Sequence, residues 1–546
     1  MMGFGPNSGE GRTLPTHLVN LDALIRREDL AAVPNPLVAE PVEFLQNLNI
    51  SQLASTQLFF KMLRKPDYQR ETAHWSPQKV AAFIRSYVEG DLIPAIILWH
   101  SNASGNVFVI DGAHRLSALI AYVHDDYGSG SISTPFFENL IAAEQKQAAE
   151  NTRKIVRDTI GSYVELTASQ SHATLEKQKF AGNLAAVGIR LQWVPGDALR
   201  AERSFYIINT QQTPIDESER RLIRDRKCAN AIATRALIRA GTGPEYWSSF
   251  APDIKTQIKQ TAKDVYDTLF VPPLEEPIKT LDLPVAGRGY SAESVRLILD
   301  FIEFVNKSAL TSDSKAVKGR TKSDAITPTT APDEDGTQTL EFLKQVKRTA
   351  KRLTGTDPAS FGLHPAVYYY SATGKYQPTA FLASVAFVKD LEEHDRLLVF
   401  SANRYAFEEH LLKYKYFINE IIRKYGSGSR GLSALTRLYQ YLFNGVVEKK
   451  TDLELVPVFE SDRQIAFLAP LVDSDKGTKK HFTTERKSAA FLKEALDKAL
   501  RCAQCNARLH KRSMQVDHIQ RKREGGVGTV ENAQLMHPYC NSTVKG

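Results

Sequence analysis

The chain has 546 residues, so two or three domains are expected, because a single hydrophobic core seldom serves more than about 300 residues. Hydrophobic residues make up 42% of the sequence and charged residues 24%, and neither a run of roughly 20 apolar residues nor a signal peptide is present, which predicts a soluble cytoplasmic protein without membrane contact. The net charge of +8 and the pI near 9.0 are compatible with a polyanionic partner.

Residues 60 to 125 alternate helical and strand patterns, as expected of an α/β domain. Ser76 and Pro77 indicate a helix start, because serine caps a helix and proline fits its first position. Two apolar runs at 95–99 and 107–110 are predicted strands, and the second ends at Asp111-Gly112 before a further helical pattern. The sequence therefore predicts strand, tight turn and helix in that order.

Beyond residue 140 helical patterns dominate the sequence. The segment 311–339 is rich in Ser, Thr, Lys, Asp and Pro with almost no large apolar residue, which predicts a mobile loop or linker. Two further helices are predicted near 402–424 and 432–445, and a polar stretch at 473–486 leads into the last module. Cys228 stands alone and is predicted to be a buried apolar residue.

The last 45 residues contain two pairs of metal-ligand residues at the same spacing, Cys502 with Cys505 and His537 with Cys540. Clustered cysteines in a reducing compartment favour a metal site over disulfides. Four such ligands suit a tetrahedral structural Zn²⁺, which would stabilise a module too short to fold well on its own core.

The same stretch holds Asp517-His518, Asn532 and Asn541, and this order resembles the HNH endonuclease family. That resemblance implies a ββα-metal fold in which His518 is the general base, Asp517 and Asn541 hold Mg²⁺ or Mn²⁺, and Asn532 braces the loop that orients the base. Oxygen ligands suit Mg²⁺, and an imidazole can accept a proton near neutral pH. The family's usual fourth cysteine is replaced by His537, which also ligates zinc.

Eight basic and three acidic residues lie between 501 and 546, so a basic surface is expected around this site. The candidate phosphate contacts are Lys511, Arg512, Arg521, Lys522 and Arg523. An alternative is a zinc ribbon that binds DNA or protein without cutting it. The Asp-His pair and the Asn directly after the last cysteine favour the nuclease, because a ribbon does not require them.

Three N-terminal segments are candidates for a nucleotide or DNA-sensing pocket. They are Asp67-Tyr68-Gln69-Arg70 with Trp75, then Asp111-Gly112-Ala113-His114-Arg115, and then residues 205–214 from Phe205 to Pro214. In the second segment, Gly112 allows a sharp turn and leaves Asp111 and Arg115 at a helix N-terminus, where phosphates bind favourably. Arg115 could contact a phosphate in bidentate fashion. The predicted pocket residues are Tyr68, Gln69, Arg70, Asp111, Gly112, His114, Arg115 and Asn209.

The order of these segments resembles the ParB-like N-terminal domain of GmrSD-type restriction proteins and of phosphorothioate-sensing defence nucleases. The resemblance spans roughly residues 60 to 225 and implies nucleotide hydrolysis and sensing of modified DNA, with ATP or GTP as candidate ligands. The family's Asp-Gly-Gln-Gln-Arg or Asp-Gly-Gln-His-Arg motif is here Asp-Gly-Ala-His-Arg, so Ala113 removes whatever contact that glutamine amide makes.

The sequence as a whole predicts an α+β multidomain protein with a ParB-like α/β sensor at 1–240, a mainly helical linking region at 241–480 and a zinc-bearing HNH domain at 481–546. The predicted function is a metal-dependent DNA endonuclease, nicking rather than cutting both strands, that serves bacterial defence under nucleotide or modified-DNA control. The alternatives are a DNA-binding regulatory NTPase with a structural zinc module, and an NTPase whose nuclease is vestigial. Partner subunits of a defence system and an oligomeric state are compatible with each of these functions.

Overall fold

The structure is a computed structural model whose chain divides into two compact units, and each is described by itself. The first unit comprises Met1–Arg226, Thr242–Tyr246 and Ala325–Thr327, and the second Lys227–Gly241, Trp247–Asp324 and Pro328–Gly546. The described residues are 18–28, 30, 44–66, 69, 71–73, 75–137, 139, 141, 143–168, 174–212, 217–242, 250–289, 291–307, 310, 330–468 and 482–545. Among them, no helix is both long and apolar enough to cross a membrane.

The first unit is built on a mixed six-stranded sheet. Its strands are β1 (Arg26–Glu28), β2 (Asn47–Asn49), β3 (Leu63–Pro66), β4 (Ile96–His100), β5 (Val107–Asp111) and β6 (Gly188–Trp193). They lie in the order β1-β3-β5-β4-β6-β2. The pairs β1/β3, β3/β5 and β4/β6 are parallel, and β4/β5 and β2/β6 are antiparallel. The predicted α/β class of this region is therefore confirmed.

Helices cover both faces of this sheet. They are α1 (Leu58–Met62), α2 (Pro77–Glu89), α3 (Ala113–His124), α4 (Ser133–Phe136), α5 (Ala143–Thr159), α6 (Tyr163–Thr167), α7 (Leu175–Ala186), α8 (Ala198–Gln212) and α9 (Glu217–Arg224). On one face α2 and α3 pack against the strands, and on the other Phe205 of α8 packs against Phe108 and Ile110. The predicted start of α2 is confirmed, because the Ser76 hydroxyl accepts a hydrogen bond from Lys79 N at 3.2 Å.

A buried charge network fixes the end of β3, the strand that precedes the predicted pocket segment at 67–70. The Lys65 ammonium and the Arg27 guanidinium each lie 2.8 Å from Asp22 Oδ1, and Thr72 N donates to the same oxygen at 3.1 Å. Lys65 and Asp22 are almost fully buried. Such a network persists only when its charges satisfy one another, so it holds the segments on both sides of residues 67–70 in place.

The second unit is mainly helical up to its last 45 residues, as predicted. Its helices are α10 (Ala229–Ile238), α11 (Pro252–Phe270), α12 (Ala292–Val305), α13 (Thr337–Leu353), α14 (Pro365–Tyr368), α15 (Pro378–Glu393), α16 (Leu397–Lys413), α17 (Lys415–Tyr425), α18 (Ser429–Val447), α19 (Asp452–Ser461) and α20 (Thr484–Asp497). The prediction for Cys228 is confirmed, because it is fully buried.

The polar segment 311–339, predicted to be mobile, lies outside the described residues from 311 to 329. Its end is ordered, because α13 begins at Thr337 and Thr339 is fully buried. Asp333 Oδ2 accepts hydrogen bonds from Thr339 N at 2.7 Å and from the Thr339 hydroxyl at 2.6 Å. Polar composition hid this helix start, because the same residue types that favour loops also cap helices.

The C-terminal module packs into the helical unit. It contains the antiparallel hairpin β7 (Gln515–His518) and β8 (Ala533–Met536), followed by a π-helical turn at Cys540–Val544. The loop 354–362 of the helical part contacts this module along its length: Tyr539 N donates to Ser360 O at 2.9 Å, and the Ser542 hydroxyl donates to Pro358 O at 2.6 Å.

A buried ion pair within α16 contacts the same module through Glu408. Arg404 Nε donates to Glu408 Oε1 at 2.8 Å, and both side chains are essentially without solvent exposure. Glu408 Oε2 accepts from Arg508 N at 3.2 Å, and Arg508 also reaches Glu409 at 2.6 Å. Burial lowers the Arg404 pKa, but the combined effect of Glu408, Tyr368 and the Cys505 and Cys540 sulfurs outweighs it and raises the pKa.

Replacement of Arg404 by leucine will test this connection. The change leaves Glu408 as an uncompensated buried charge, so we expect the free energy of unfolding to fall by about 3–5 kcal/mol. Urea denaturation followed by circular dichroism measures the loss. The control is Arg423→Leu, which breaks an ion pair with Glu420 whose arginine is 78% exposed and should change stability little. Equal effects of the two substitutions would contradict the assignment.

Candidate active site and metal centre

Four ligand side chains meet in the C-terminal module. The ligand atoms of Cys502, Cys505, His537 and Cys540 all lie within 4.8 Å of one another, and all four side chains are buried. Cys505 Sγ lies 3.3 Å from His537 Nδ1, and His537 N donates to Cys502 Sγ at 3.4 Å. The two pairs that the sequence spacing predicts therefore come together in space.

The orientation of His537 suits a metal ligand. Its Nε2 lies 3.1 Å from Arg508 O, so a proton on Nε2 donates to that carbonyl and leaves the lone pair of Nδ1 facing the sulfur atoms. Burial and then the charge of Arg404 lower the pKa of His537 and keep its imidazole neutral, which is the form that binds a metal. Hydrogen bonds among the three thiols lower the pKa of Cys502 and raise those of Cys505 and Cys540, so Cys502 is the sulfur that carries the negative charge in the metal-free cluster. Three sulfurs and one imidazole nitrogen fit a structural zinc ion.

Asp517 lies in the middle of a polar cluster on one face of the hairpin. Its Oδ2 accepts a hydrogen bond from Gln534 Nε2 at 3.1 Å, directly across the strand pair, and a contact from the Lys545 ammonium. Burial opposes ionisation of this carboxyl, but the hydrogen bonds from Lys545 and Gln534 outweigh it and hold the pKa below its usual value. Asp517 is therefore an anion, and the Lys545 ammonium lies beside it.

Asn541 is fixed on the same face as Asp517. Its Nδ2 donates to Gln515 Oε1 at 2.9 Å, and Gln515 Nε2 donates in turn to Thr356 O at 3.0 Å. Gln515 and Asp517 are alternate residues of β7 and so share a face of the hairpin. The bond to Gln515 fixes the orientation of the Asn541 amide, so that its nitrogen points to Gln515.

His518 ends β7, and the Asn532 side chain fastens the loop that follows it. The His518 ring is half-buried, has no hydrogen-bond partner among the described residues, and lies 4.0 Å from the position of a Cβ on Gly528. Asn532 Oδ1 accepts from Gln520 N at 2.7 Å, and its Nδ2 donates to Val527 O at 2.8 Å. The His518 ring thus lies beside a loop that Asn532 braces.

The five basic candidates for phosphate contacts differ in their surroundings. Arg512 Nε donates to Asp282 Oδ1 at 2.9 Å, and Lys511 lies 3.5 Å from the same carboxylate although its side chain is 77% exposed. Arg521 donates to Lys545 O. Lys522 and Arg523 are exposed in a short 3-10 turn, with Arg523 3.8 Å from Glu524. The structure therefore gives Arg521 and Arg512 structural contacts and leaves the other three more open to solvent.

The predicted strand, turn and helix of the N-terminal unit are present. Asp111 ends β5, Gly112 adopts a left-handed φ of 92°, and α3 begins at Ala113. Arg115 Nη2 lies 2.8 Å from Asp111 Oδ2, and Arg115 Nη1 donates to Pro94 O at 2.7 Å. A Cβ on Gly112 would lie only 3.1 Å from this guanidinium, so glycine suits the turn for two reasons.

The other predicted pocket residues are only partly described. The His114 ring stacks on Trp75 with centroids 5.6 Å apart. Gln69 is 6% exposed, and its Oε1 has no hydrogen-bond partner among the described residues. Tyr68 and Arg70 lie outside the described residues. Asn209 belongs to α8, but its side chain also lies outside them.

A groove of about 800 Å³ opens on the α8 face of the sheet in the first unit. Trp193, which stacks on Phe44 at 4.5 Å, and Arg200 line it together with Ile97 and Ser204. Neither Asp111 nor Arg115 is among its described lining residues. The groove thus offers an aromatic surface and a cation, and its lining residue Ile97 pairs with Asp111 across β4 and β5.

Sequence reasoning missed Gln515, Gln534 and Lys545. Strand alternation could have found Gln515, because it lies two residues before Asp517 in the same apolar-polar pattern. Gln534 required the register of the hairpin, and Lys545 required the path of the turn after Cys540. Neither is readable from local sequence.

Comparison with protein-family models gives two matches. Residues 49–225 match the family described as GmrSD restriction endonuclease, N-terminal domain. Residues 502–545 match the HNH endonuclease family. Both resemblances inferred from the sequence are therefore confirmed. No curated protein and no solved structure matches the chain significantly.

Metal analysis of the purified chain will test the four-ligand cluster. We expect one zinc per chain by atomic spectroscopy, and Cys502→Ser should remove most of it and lower the melting temperature, because the buried ligands lose the ion that holds them together. Cys228→Ser, which alters a buried cysteine elsewhere in the same unit, should keep the zinc. Retention of full zinc content by Cys502→Ser would refute the site.

Proposed function

We propose that this chain, a hydrolytic nuclease that combines a GmrSD-type N-terminal domain with an HNH endonuclease domain, nicks DNA under the control of a ligand of its N-terminal domain. The two domains give it a restriction or defence role. The observation that carries the nuclease proposal is the shared face of Asp517 and Asn541, where a carboxylate already holds a cation and an amide oxygen is left free.

The proposed chemistry assigns one task to each residue of this face and to His518, which follows Asp517 at the end of β7. His518 takes the proton from the attacking water, and its unbonded, half-buried ring supports that role. Asp517 and Asn541 would hold Mg²⁺ or Mn²⁺, which supplies charge stabilisation to the phosphate. Gln515 fixes the Asn541 amide, and Asn532 keeps the loop after His518 in place.

Nicking of one strand follows from the number of active sites. The described residues of the HNH module contain a single Asp517–Asn541 face, and one such centre hydrolyses one phosphodiester at a time. Lys511, Lys522 and Arg523 are the proposed phosphate contacts, because they are exposed basic residues of the same module.

Control by a nucleotide or by modified DNA is proposed for the N-terminal unit. Asp111 and Arg115 lie at the start of α3, and the guanidinium retains N–H groups beyond those that bind Asp111 and Pro94. ATP or GTP phosphates are the candidate ligands there. Such control is physically reasonable, because a nuclease that recognised only the phosphate backbone would bind any duplex.

Plasmid cleavage will test the nuclease. We expect His518→Ala to lower the nicking rate by about 100- to 10,000-fold in Mg²⁺, because the water loses its proton acceptor. Conversion of supercoiled to open-circular plasmid on a gel measures it. His394→Ala, at an exposed histidine of the same unit, is the matched control and should cleave like the parent.

Undiminished nicking by His518→Ala would exclude this active site. Phosphate release from nucleotide without any strand scission by the parent protein, across several divalent ions, would favour an NTPase with a structural zinc module.

A second experiment separates the control of nicking from the nicking reaction itself. The nicking of modified and unmodified plasmid is compared with and without ATP or GTP. We expect Arg115→Ala to abolish the ligand's effect on the nicking rate, and we expect His518→Ala to keep nucleotide binding. Arg85→Ala, on an exposed arginine of α2 paired with Glu89, is the control. If Arg200→Ala abolishes the response and Arg115→Ala does not, the ligand binds in the groove and the assignment to Arg115 is wrong.

A further inference from the structure

Lys545 contacts the two residues at the centre of the proposed active site. Its ammonium donates to Asp517 Oδ2 and to the backbone carbonyl of His518. Its side chain is only 17% exposed, and that of Asp517 is 19% exposed. The contact is therefore a half-buried ion pair and not an exposed surface ion pair.

The backbone of Lys545 is held from both sides. Its N–H donates to Cys540 O at 2.9 Å, at the end of the turn that carries a sulfur ligand, and its carbonyl accepts from the Arg521 guanidinium. These bonds fix the Cα of Lys545 over the hairpin. The side chain is thus presented to Asp517 by the fold itself.

We propose that the Lys545 ammonium is a built-in counter-ion that occupies the cation position of the nuclease and must leave before a divalent metal binds. This inference rests on the proposed function, because it takes Asp517 as a metal ligand. A divalent ion and an ammonium cannot both lie against one carboxylate oxygen without strong repulsion. Metal binding is therefore a competition in which part of the ion's affinity is used to displace Lys545.

The competition also links metal binding to the substrate. A displaced ammonium carries its charge on a flexible four-carbon chain beside the place where a phosphodiester binds, and a phosphate is an alternative partner for it. DNA would then stabilise the displaced position of Lys545 and raise the affinity of Asp517 for metal. By reciprocity, metal would favour DNA binding to the same degree.

Manganese binding to the zinc-loaded full-length chain will test the proposal, with the free Mn²⁺ signal in electron paramagnetic resonance as the readout. Lys545→Met removes the charge and keeps an unbranched chain, so we expect it to bind Mn²⁺ on the order of tenfold more tightly than the parent. Lys545→Arg keeps the cation and should bind as weakly as the parent. If Lys545→Met is unfolded by circular dichroism, Lys545→Gln serves in its place.

The outcomes separate this inference from the proposed function. Equal Mn²⁺ affinity in the parent and in Lys545→Met, with binding lost in Asp517→Asn, would overturn the role of Lys545 and leave the nuclease site standing. Tighter binding in Lys545→Arg as well would also overturn it, because the charge would then be irrelevant. Unchanged binding in Asp517→Asn would instead refute Asp517 as a ligand and with it the proposed metal site.

Discussion

The ion pair between Arg404 and Glu408 is the contact on which the C-terminal half of the structure depends. The Arg404 charge interacts with the Cys505 and Cys540 sulfurs, and Glu408 accepts a hydrogen bond from the backbone of Arg508. Arg508 in turn offers its carbonyl to His537. The sulfur cluster is therefore supported by a helix about a hundred residues earlier in the chain, in the way that outer hydrogen bonds orient metal ligands.

This dependence explains what the sequence could and could not predict. The ligand pairs around Cys502 and Cys540, and the Asp517-His518 step, are short patterns whose chemistry follows from residue type and spacing alone. Arg404 sits in an ordinary amphipathic helix, and nothing in its neighbourhood indicates a role beside sulfur atoms. Its role arises from packing between distant segments, which local patterns do not encode.

The N-terminal unit shows the same division. The strand, glycine turn and helix around Gly112 were predictable, because a left-handed turn at a strand end favours one residue type. The two contacts of Arg115, with Asp111 and with the carbonyl of Pro94, were not predictable. The second contact depends on how the chain before β4 enters the sheet. The buried group around Asp22 was equally hidden, although it fixes the strand before the first motif.

The contacts of the loop 354–362 with the C-terminal module affect what a fragment of the protein can do. Gln515 holds the amide of Asn541, and its own nitrogen donates to the carbonyl of Thr356, which belongs to the helical region. A proteolytic product that retained only 482–546 would lack this carbonyl as well as Glu408. On the proposed function, liberated HNH fragments would cleave DNA poorly, and the nuclease activity would stay with the intact chain.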